Sequence, residues 1–287
     1  MTTITSPSPA PGVRGPRGKK KPPRLLDVLS VTRLTPRMMR VVLGGEALAG
    51  FPDDAPGGHI KAFFPRDHQH EPSLPTLTAD GPVWPAAEER PITRTYSVRH
   101  MDCERQELAI DFVLHGDDGP ASRWALSATP GDRLGIAGPG GPLPLLKPAS
   151  RYVLAGDLTA VPAIAALLEA LPEDATGDVF IEAVDPADTL PLAHPESIQV
   201  HWLYRETLSA GESPLLINAV KALGITDPEG LFGWAGGENS AVLAIREYMR
   251  HQLGMSKTQV YAVPYWKDQF TEERYHEERH RIMDDAL

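Results

Sequence analysis

The sequence predicts a β-barrel domain followed by an α/β domain, and three observations support this prediction. Residues 24–147 form short runs of β-type residues that are separated by turns rich in glycine and proline. Residues 148–268 instead alternate predicted strands with predicted helices, which is typical of a parallel sheet. At 287 residues, the chain is long enough for two domains that each bury a core.

The first predicted domain, residues 24–147, contains six strands. They cover residues 25–34, 37–43, 59–64, 93–99, 107–114 and 132–136. Because a bare sheet edge invites aggregation, we expect these strands to close into a six-stranded antiparallel Greek-key barrel.

The second predicted domain, residues 148–268, contains a parallel sheet of five strands. The strands cover residues 152–155, 178–184, 199–204, 231–235 and 259–263, with helices predicted at 158–171, 214–223 and 238–253. A charged helix is predicted over residues 269–287, where opposite charges stand three and four residues apart. Its simplest role is that of a solvated terminal helix, and the alternative is that it covers a bound cofactor.

Charge is distributed unevenly along the chain. Residues 1–24 hold six basic side chains and no acidic one, so the remaining residues carry 22 basic against 38 acidic side chains, a net charge of −16. This excess of acid predicts a body that repels nucleic acid. Residues 1–23 are rich in Pro, Ser, Thr and Gly and are predicted to be a disordered basic tail. A basic arm that binds an anionic surface is the alternative.

Composition excludes several other classes of protein. No apolar run approaches the roughly 18 residues that a membrane span needs, and the N-terminus lacks the apolar segment of a secretory signal. Cys103 is the only cysteine, which excludes an internal disulfide and any cysteine-rich zinc or iron–sulfur site. We therefore expect a cytoplasmic protein without a bound metal, most simply a monomer.

The predicted strand at residues 93–99 carries the most informative motif, Arg94-Thr95-Tyr96-Ser97. Alternate side chains of a strand share a face, so Arg94 and Tyr96 point to one side while Thr95 and Ser97 point to the other. Arginine offers a fork of donors for a pyrophosphate, tyrosine offers a ring that can lie along a flavin, and serine offers a hydroxyl. The motif indicates a flavin site. An ordinary strand with solvated Arg and Tyr side chains is the alternative.

Two turns of the second domain indicate a nucleotide site. Residues 155–164 follow a strand and open a helix, with Asp157 or Thr159 as the predicted N-cap, and free amides at a helix start can receive a phosphate. Residues 234–238 follow a later strand on the same rim of the sheet, where the ligands of open α/β sheets bind. Neither turn has the G-x-G-x-x-G fingerprint, so an ordinary strand–helix turn remains the alternative.

Taken together, the motifs resemble those of the ferredoxin reductase-like flavoproteins, and within them the siderophore-interacting proteins, which are flavin-dependent ferric-siderophore reductases. The motifs that carry the resemblance are Arg94-Thr95-Tyr96-Ser97, Asp111-Phe112-Val113-Leu114-His115-Gly116, Gly119-Pro120-Ala121-Ser122-Arg123-Trp124-Ala125, Gly138-Pro139-Gly140-Gly141, Gly156-Asp157-Leu158-Thr159-Ala160-Val161-Pro162-Ala163-Ile164, Trp234-Ala235-Gly236-Gly237-Glu238 and Tyr265-Trp266-Lys267. They follow one another in order between Leu25 and Lys267.

The resemblance implies one site for FAD and one for a nicotinamide nucleotide. FAD would be held by Arg94, Thr95, Tyr96, Ser97, Asp111, Phe112, Val113, His115, Gly119, Ala121, Ser122 and Trp124. NADH or NADPH would be received by Gly156, Asp157, Thr159, Ala160, Asp185, Gly236, Gly237 and Glu238, unless a ferredoxin delivers the electrons. His115 as a surface residue and Trp124 as a core anchor are the simpler interpretations.

Asp185 follows the predicted strand 178–184. A carboxylate at this place accepts the ribose hydroxyls of NADH and repels the 2′-phosphate of NADPH, so the sequence predicts a preference for NADH. The alternative is that Asp185 caps the turn before Pro186.

The predicted substrate residues are Lys61, Lys267 and Arg246, because an anionic ferric siderophore needs local cations on an acidic protein. The resemblance implies that both lysines lie beside the flavin. Lys61 also begins an apolar run, where a lysine without a partner or ligand is costly. The alternatives are that each lysine is a solvated surface charge and that Arg246 pairs with Glu247 or Glu238.

The predicted reaction follows from counting electrons. A nicotinamide delivers two electrons as hydride, iron(III) accepts one, and a flavin holds two and releases them singly. Reduction weakens the hold of oxygen ligands on iron, so no catalytic side chain is required. Two alternatives remain open: a general NAD(P)H-dependent flavin or ferredoxin-type reductase, and a non-enzymatic siderophore-binding redox flavoprotein.

Overall fold

A computed structural model of the chain describes residues 21–115 and 119–286. The predicted basic tail, residues 1–23, lies outside the described residues except for its last three. Among the described residues, no helix is both long and apolar enough to cross a membrane.

The first half of the chain forms nine strands and one helix. They are β1 (Arg24–Thr35), β2 (Met38–Gly44), β3 (His59–Phe64), β4 (Thr76–Thr78), β5 (Gly81–Val83), β6 (Ile92–Ser97), β7 (His100–Asp102), β8 (Glu107–Val113), α1 (Pro120–Ser127) and β9 (Arg133–Gly140). Seven of these strands form one antiparallel sheet in the order β6-β3-β9-β1-β2-β8-β7, while β4 and β5 form a separate hairpin.

The predicted antiparallel barrel is confirmed, with three short strands added to the six expected. The sheet curls so that β6 returns to β8, where the ring centroids of Tyr96 and Phe112 are 4.5 Å apart. Leu26, Ile60 and Leu134 fill the inside of the curl and are almost fully buried. Strands β4, β5 and β7 have only three residues each, too few for alternation to reveal them.

Among the described residues, and besides three short helices of other types, the second half of the chain contains five β-strands and four α-helices. They are β10 (Arg151–Asp157), α2 (Val161–Glu169), β11 (Thr176–Ala183), β12 (Ile198–Tyr204), α3 (Leu215–Ala222), β13 (Leu231–Glu238), α4 (Asn239–Glu247), β14 (Val260–Trp266) and α5 (Glu272–Ala286). The strands form a parallel sheet in the order β12-β11-β10-β13-β14, which confirms the prediction. The strand order reverses at β10, where open α/β sheets bind their ligands.

The turn between β10 and α2 differs from the expected capped helix. Helix α2 begins at Val161 with Ala160 as its N-cap, and no side chain caps it. The carboxylate of Asp157 instead accepts hydrogen bonds from the amide of Thr159 at 2.8 Å and from the amide of Glu238 at 2.7 Å. Asp157 therefore ties the ends of β10 and β13 together rather than capping α2.

The two halves meet through ion pairs and a buried helix. Arg99 forms a bidentate pair with Glu169 at the end of α2, at 2.6 and 2.8 Å. Residues 161–168 of α2 are all buried, and the helix packs in a cluster that includes Met38 of the first sheet. This packing brings the carboxyl ends of the parallel strands opposite the outer face of β3 and β6.

Candidate functional site

A cavity of about 1730 Å³ lies between the two halves. Its walls come from β3, β6, β8 and the start of α1 on one side, and from the ends of β10 and β11, strand β14 and helix α5 on the other. A pocket for one drug-sized ligand measures roughly 300–1,000 Å³. The cavity therefore has room for a dinucleotide together with a second ligand.

The structure brings many, but not all, of the predicted site residues to this cavity. Those that line it are Lys61, Arg94, Thr95, Tyr96, Ser97, Asp111, Val113, His115, Gly119, Ala121, Asp157, Thr159, Arg246 and Lys267. Those that do not line it are Phe112, Ser122, Trp124, Gly156, Ala160, Asp185, Gly236, Gly237 and Glu238.

Strand β6 presents the Arg-x-Tyr-Ser motif with the predicted alternation. Thr95 lies opposite Lys61 in the β3–β6 ladder, and Tyr96 lies opposite the core residue Ile60. The ring of Tyr96 packs beside Phe112, and burial raises the pKa of its hydroxyl. Ser97 is buried and hydrogen-bonds the hydroxyl of Tyr265.

Arg94 is the cation of this motif, and its side chain is only 21% exposed. One guanidinium nitrogen donates to the carbonyl of Thr93 at 2.9 Å and lies 2.9 Å from Glu273 of α5. The interpretation of Arg94 as an ordinary solvated residue is therefore wrong. A ligand phosphate that binds Arg94 has to compete with a carboxylate of the same chain.

The start of α1 supplies the second anion-binding feature. Gly119 is the N-cap, Pro120 begins the helix, and neither a capping side chain nor an acidic residue stands in the first turn. The amides of Ala121 and Ser122 have no acceptor within the helix because of their position. The hydroxyl of Ser122 is occupied, since it donates to the carbonyl of Val113 at 3.3 Å.

Two predicted flavin residues next to α1 have local structural partners. Both carboxylate oxygens of buried Asp111 accept from Arg40, at 2.7 and 2.8 Å. His115 is exposed and lines the cavity, with its ring packed on Gly119 so closely that a Cβ there would lie 2.5 Å from the ring. Trp124 packs against Phe64 and Phe112, which makes it the core anchor that the sequence allowed.

Lys61 points into the cavity and is not a solvated surface charge. Its ammonium donates to the hydroxyl of Thr95 at 2.6 Å, and none of the carboxylates whose side chains the structure describes forms an ion pair with it, although Glu272 acts on it electrostatically. Burial, and then the positive charge of Arg279, lower the pKa of Lys61. An unpaired, half-buried ammonium of this kind is suited to an anionic ligand.

At the rim of the parallel sheet, the carboxylates of Asp157 and Glu238 accept hydrogen bonds from neighbouring groups of the same chain. Asp157 is buried and also accepts from the indole nitrogen of Trp266 at 2.8 Å. A Cβ on Gly156 would lie 2.6 Å from the carbonyl of Gly236, so the strands need glycine at this approach. Glu238 caps α4, with its carboxylate accepting from the amides of Ser240 and Ala241.

Asp185 is not placed for a nucleotide. One of its carboxylate oxygens caps the short helix Pro186–Asp188 by accepting from Ala187, and the other pairs with Arg37 at 2.9 Å. The cap that the sequence offered as the alternative is the observed role. Arg37 comes from the first half of the chain, and that partner is not visible from the sequence around Asp185.

Glu182, three residues earlier on β11, lines the cavity instead. One carboxylate oxygen accepts from the hydroxyl of Ser213 at 2.6 Å, and the other lies 3.8 Å from the guanidinium of Arg205. Burial raises the pKa of the Glu182 carboxyl. A carboxylate and a guanidinium therefore meet at the wall where a ribose or its phosphate would be recognised.

Helix α5 is a wall of the cavity rather than a solvated terminal helix. Tyr275 is 1% exposed and donates to the side chain of Asn239 at 2.9 Å. Arg279 donates to the carbonyl of Tyr265 at 3.0 Å and pairs with Glu272 at 2.7 Å. These contacts hold the helix across the end of β14.

The other two predicted substrate cations are engaged with α5. Lys267 pairs with Glu278 at 2.7 Å. Arg246 donates to the carbonyl of Ile282 at 3.3 Å rather than pairing with Glu247 or Glu238, the alternative that the sequence offered. Glu247 lies 3.6 Å from His251 instead.

The cavity-lining residues that sequence reasoning missed include His59, Glu182, Arg205 and Arg279. His59 was accessible to it, because the period of a strand places it on the same face as Lys61. Arg205 lies in the loop after β12, and Arg279 lies in α5. Both line the cavity because of how that loop and that helix pack, which no local sequence pattern predicts.

Comparisons with known proteins agree with this architecture. A family model described as the siderophore-interacting FAD-binding domain matches residues 27–143, and one described as siderophore-interacting protein matches residues 149–269. Ferric vibriobactin reductase ViuB of Vibrio cholerae is 43% identical over 266 residues, which cover 92% of this chain and 97% of the relative. NADPH-dependent ferric-chelate reductase of Escherichia coli is 34% identical over 247 residues, which cover 85% of this chain and 92% of the relative.

Solved structures show the same likeness. The siderophore-interacting protein SipS from Aeromonas hydrophila is 38% identical, with a TM-score of 0.80 and coverage of 92% of this chain and 98% of that one. Ferredoxin-NADP⁺ reductase from Plasmodium falciparum is 12% identical, with a TM-score of 0.60 and coverage of 85% and 96%. The second likeness concerns the fold alone.

Proposed function

The chain belongs to the siderophore-interacting protein family, and on this premise we propose that it is an FAD-dependent reductase of ferric siderophores that releases iron as Fe(II) in the cytoplasm. The observation that carries the proposal is the cavity between the two halves. One wall contains Arg94, the uncapped start of α1 and Lys61, whose ammonium donates to a hydroxyl rather than to a carboxylate. The relatives named as ferric vibriobactin and ferric-chelate reductases support it.

The residues of the cavity fit FAD. Arg94 offers a charged fork and α1 offers two free amides, which together suit a pyrophosphate. Tyr96 offers an aromatic ring at the cavity wall, and Ser97 offers a hydroxyl. When bound, FAD supplies the conversion of a two-electron hydride into single electrons for iron(III).

The protein's own contribution is to hold the walls of the cavity in place and to attract the anionic chelate. The pair of Asp111 with Arg40 and the buried tie at Asp157 fix the two walls. Lys61 attracts the anionic chelate, whereas the charge of Arg279 on the opposite wall is balanced by its ion pair with Glu272. Lys267 contributes less than the sequence suggested, because Glu278 already balances its charge.

We propose a nicotinamide nucleotide as the electron donor, with ferredoxin as the alternative. A relative is named as NADPH-dependent, which supports this class of donor. The NADH preference inferred from Asp185 loses its basis, because that carboxylate faces Arg37. Glu182 and Arg205 are the side chains on the cavity wall that can distinguish a ribose from its 2′-phosphate.

The test is a reconstitution of the electron path. The purified protein is loaded with FAD under anaerobic conditions, then mixed with NADH, NADPH or reduced ferredoxin, and the bleaching of the flavin is followed. We expect rapid bleaching with a nicotinamide nucleotide and reoxidation on adding a ferric siderophore. A protein that cannot be loaded with FAD contradicts the proposal.

A further inference from the structure

We propose that His59 is a catalytic residue that delivers a proton to the iron-binding oxygens of the siderophore, an inference that rests on the reductase function proposed above. Sequence reasoning assigned no side chain to this chemistry. The structure puts an imidazole beside Lys61 on the wall where the chelate is expected to bind.

The position of His59 follows from the ladder of β3. His59 and Lys61 alternate onto the same face, and their partners across the β3–β6 ladder are Ser97 and Thr95. All four of these residues line the cavity. The imidazole and the ammonium therefore face the same ligand space.

Two glycines of β9 and the turn after it make room for the ring. A Cβ on Gly140 would lie 2.8 Å from Nε2 of His59, and a Cβ on Gly141 would lie 3.0 Å from Nδ1. A side chain at either position would displace the imidazole, so the two glycines leave the space that the ring occupies. None of the side chains that the structure describes forms a hydrogen bond with the imidazole, and the ring lines the cavity, where a ligand can reach it.

Burial and the positive charges around His59 disfavour its protonated form. Burial, followed by the positive charges of Lys61 and Arg279, lowers the pKa of His59. On the facing helix α5, Glu272 pairs with Arg279, and His276 also lines the cavity. No carboxylate acts directly on His59 among the described residues. An anionic chelate in the cavity reverses this balance and raises the pKa of His59, so chelate binding takes up a proton near neutral pH.

The bound proton has a use in the reaction. Conversion of iron(III) to iron(II) takes one electron, which bound FAD would supply. One iron–oxygen bond then breaks, its electron pair stays on the siderophore oxygen, and that oxygen takes the proton from the imidazolium of His59. Neutral His59 recovers a proton from water when the next chelate binds. Because a protonated oxygen is a much poorer ligand for iron, the proton opposes rebinding of the metal.

Proton uptake is measured without turnover by using a gallium(III) siderophore, which binds like the ferric form and is not reduced. Calorimetric titration in two buffers of different ionisation enthalpy counts the protons taken up, which we expect to be about one per chelate in the parent protein. We expect His59→Gln to bind the gallium chelate with almost no proton uptake. The matched control is His100→Gln, an exposed histidine outside the cavity, which should behave as the parent does.

Turnover separates proton delivery from electron delivery. With a ferric siderophore, we expect His59→Gln to lower kcat by roughly 10²-fold, the usual contribution of a general acid, and to flatten the pH profile. With ferricyanide, which keeps its ligands on reduction, we expect no change. FAD content and the urea midpoint verify that the variant is folded.

The outcomes distinguish this inference from the proposed function. A parent protein that reduces ferric siderophores while His59→Gln retains its rate, pH profile and proton uptake overturns the inference alone. A parent protein that reduces ferricyanide but no ferric siderophore overturns the proposed function and the inference with it.

Discussion

Arg94 is the side chain on which flavin binding is expected to depend most directly. Replacing it with Ala removes charge-assisted hydrogen bonds to a pyrophosphate, worth roughly 1.5–3 kcal/mol, so we expect FAD to bind about 10- to 150-fold more weakly. Fluorescence titration of FAD measures this change. Arg105→Ala, which removes an exposed surface pair with Glu107, is the matched control. Unchanged FAD affinity in Arg94→Ala would contradict the assignment.

The two lysines of the predicted substrate patch differ in a way that kinetics can resolve. Lys61 has a hydroxyl partner, whereas Lys267 is already paired with Glu278. We expect Lys61→Ala to raise KM for an anionic ferric siderophore about tenfold or more and to reduce its dependence on salt. Lys267→Ala should raise KM by at most about fivefold, the upper range for an exposed pair. FAD content and reduction of the flavin should stay unchanged, and equal effects from both lysines would contradict this distinction.

Single residues also show where sequence reasoning ends. Alternation along β6 was enough to separate Thr95 and Ser97 from Arg94 and Tyr96, because that rule is local, whereas the contact of Thr95 with Lys61 across the β3–β6 ladder was not predicted. Asp185 was misplaced because its partner, Arg37, is 148 residues away. Nothing near Asp185 in the sequence reveals an ion pair between the two halves of the chain.

Helix α5 is expected to compete with the cofactor for a cation. Glu273 lies 2.9 Å from Arg94, and its carboxylate is largely exposed, so the pair is worth about 0.2–1 kcal/mol. We therefore expect Glu273→Gln to tighten FAD binding by up to about fivefold, measured by the same titration. Glu196→Gln, an exposed residue away from the cavity, is the control. Weaker binding in Glu273→Gln would mean that this carboxylate supports FAD rather than competing with it.

The sequence predicted best the helices and strands whose apolar or charged residues recur along the whole element. The five parallel strands are apolar and regularly spaced, and the structure has all five. The charged pattern predicted α5 as a helix, but it did not predict that Tyr275 is buried against Asn239. Because only one residue of α5, Tyr275, anchors it in this way, the sequence of the helix looks like that of a helix exposed to solvent.

Ligand occupancy should be visible in the stability of the entire protein. A ligand present at about 100 times its Kd stabilises the native state by about 2.7 kcal/mol, and each kcal/mol raises Tm by about 2–4 °C for a protein of 150–250 residues. We expect protein stripped of FAD to unfold at a correspondingly lower temperature and to recover when FAD is added. Riboflavin, which lacks the pyrophosphate that Arg94 and α1 are expected to bind, should restore much less. Equal recovery with riboflavin would contradict the pyrophosphate site.

The candidate site depends on how the two halves pack, because residues of both halves line the cavity. Each sheet was predictable from its own segment, but the cavity depends on contacts such as Arg99 with Glu169 that join the segments. The net negative charge of the protein repels anionic ligands at a distance, so we expect the Lys and Arg side chains that line the cavity to decide which anions bind.

The most direct test of the reductase function is a count of electrons in a single turnover. Protein with fully reduced FAD is mixed anaerobically with excess ferric siderophore, and Fe(II) is trapped with a colour-forming chelator while flavin reoxidation is followed. Because reduced FAD holds two electrons and iron(III) accepts one, we expect about two Fe(II) ions for each FAD, formed as the flavin reoxidises. A flavin that stays reduced in the presence of the ferric siderophore, or that reoxidises without forming Fe(II), would contradict the proposed function.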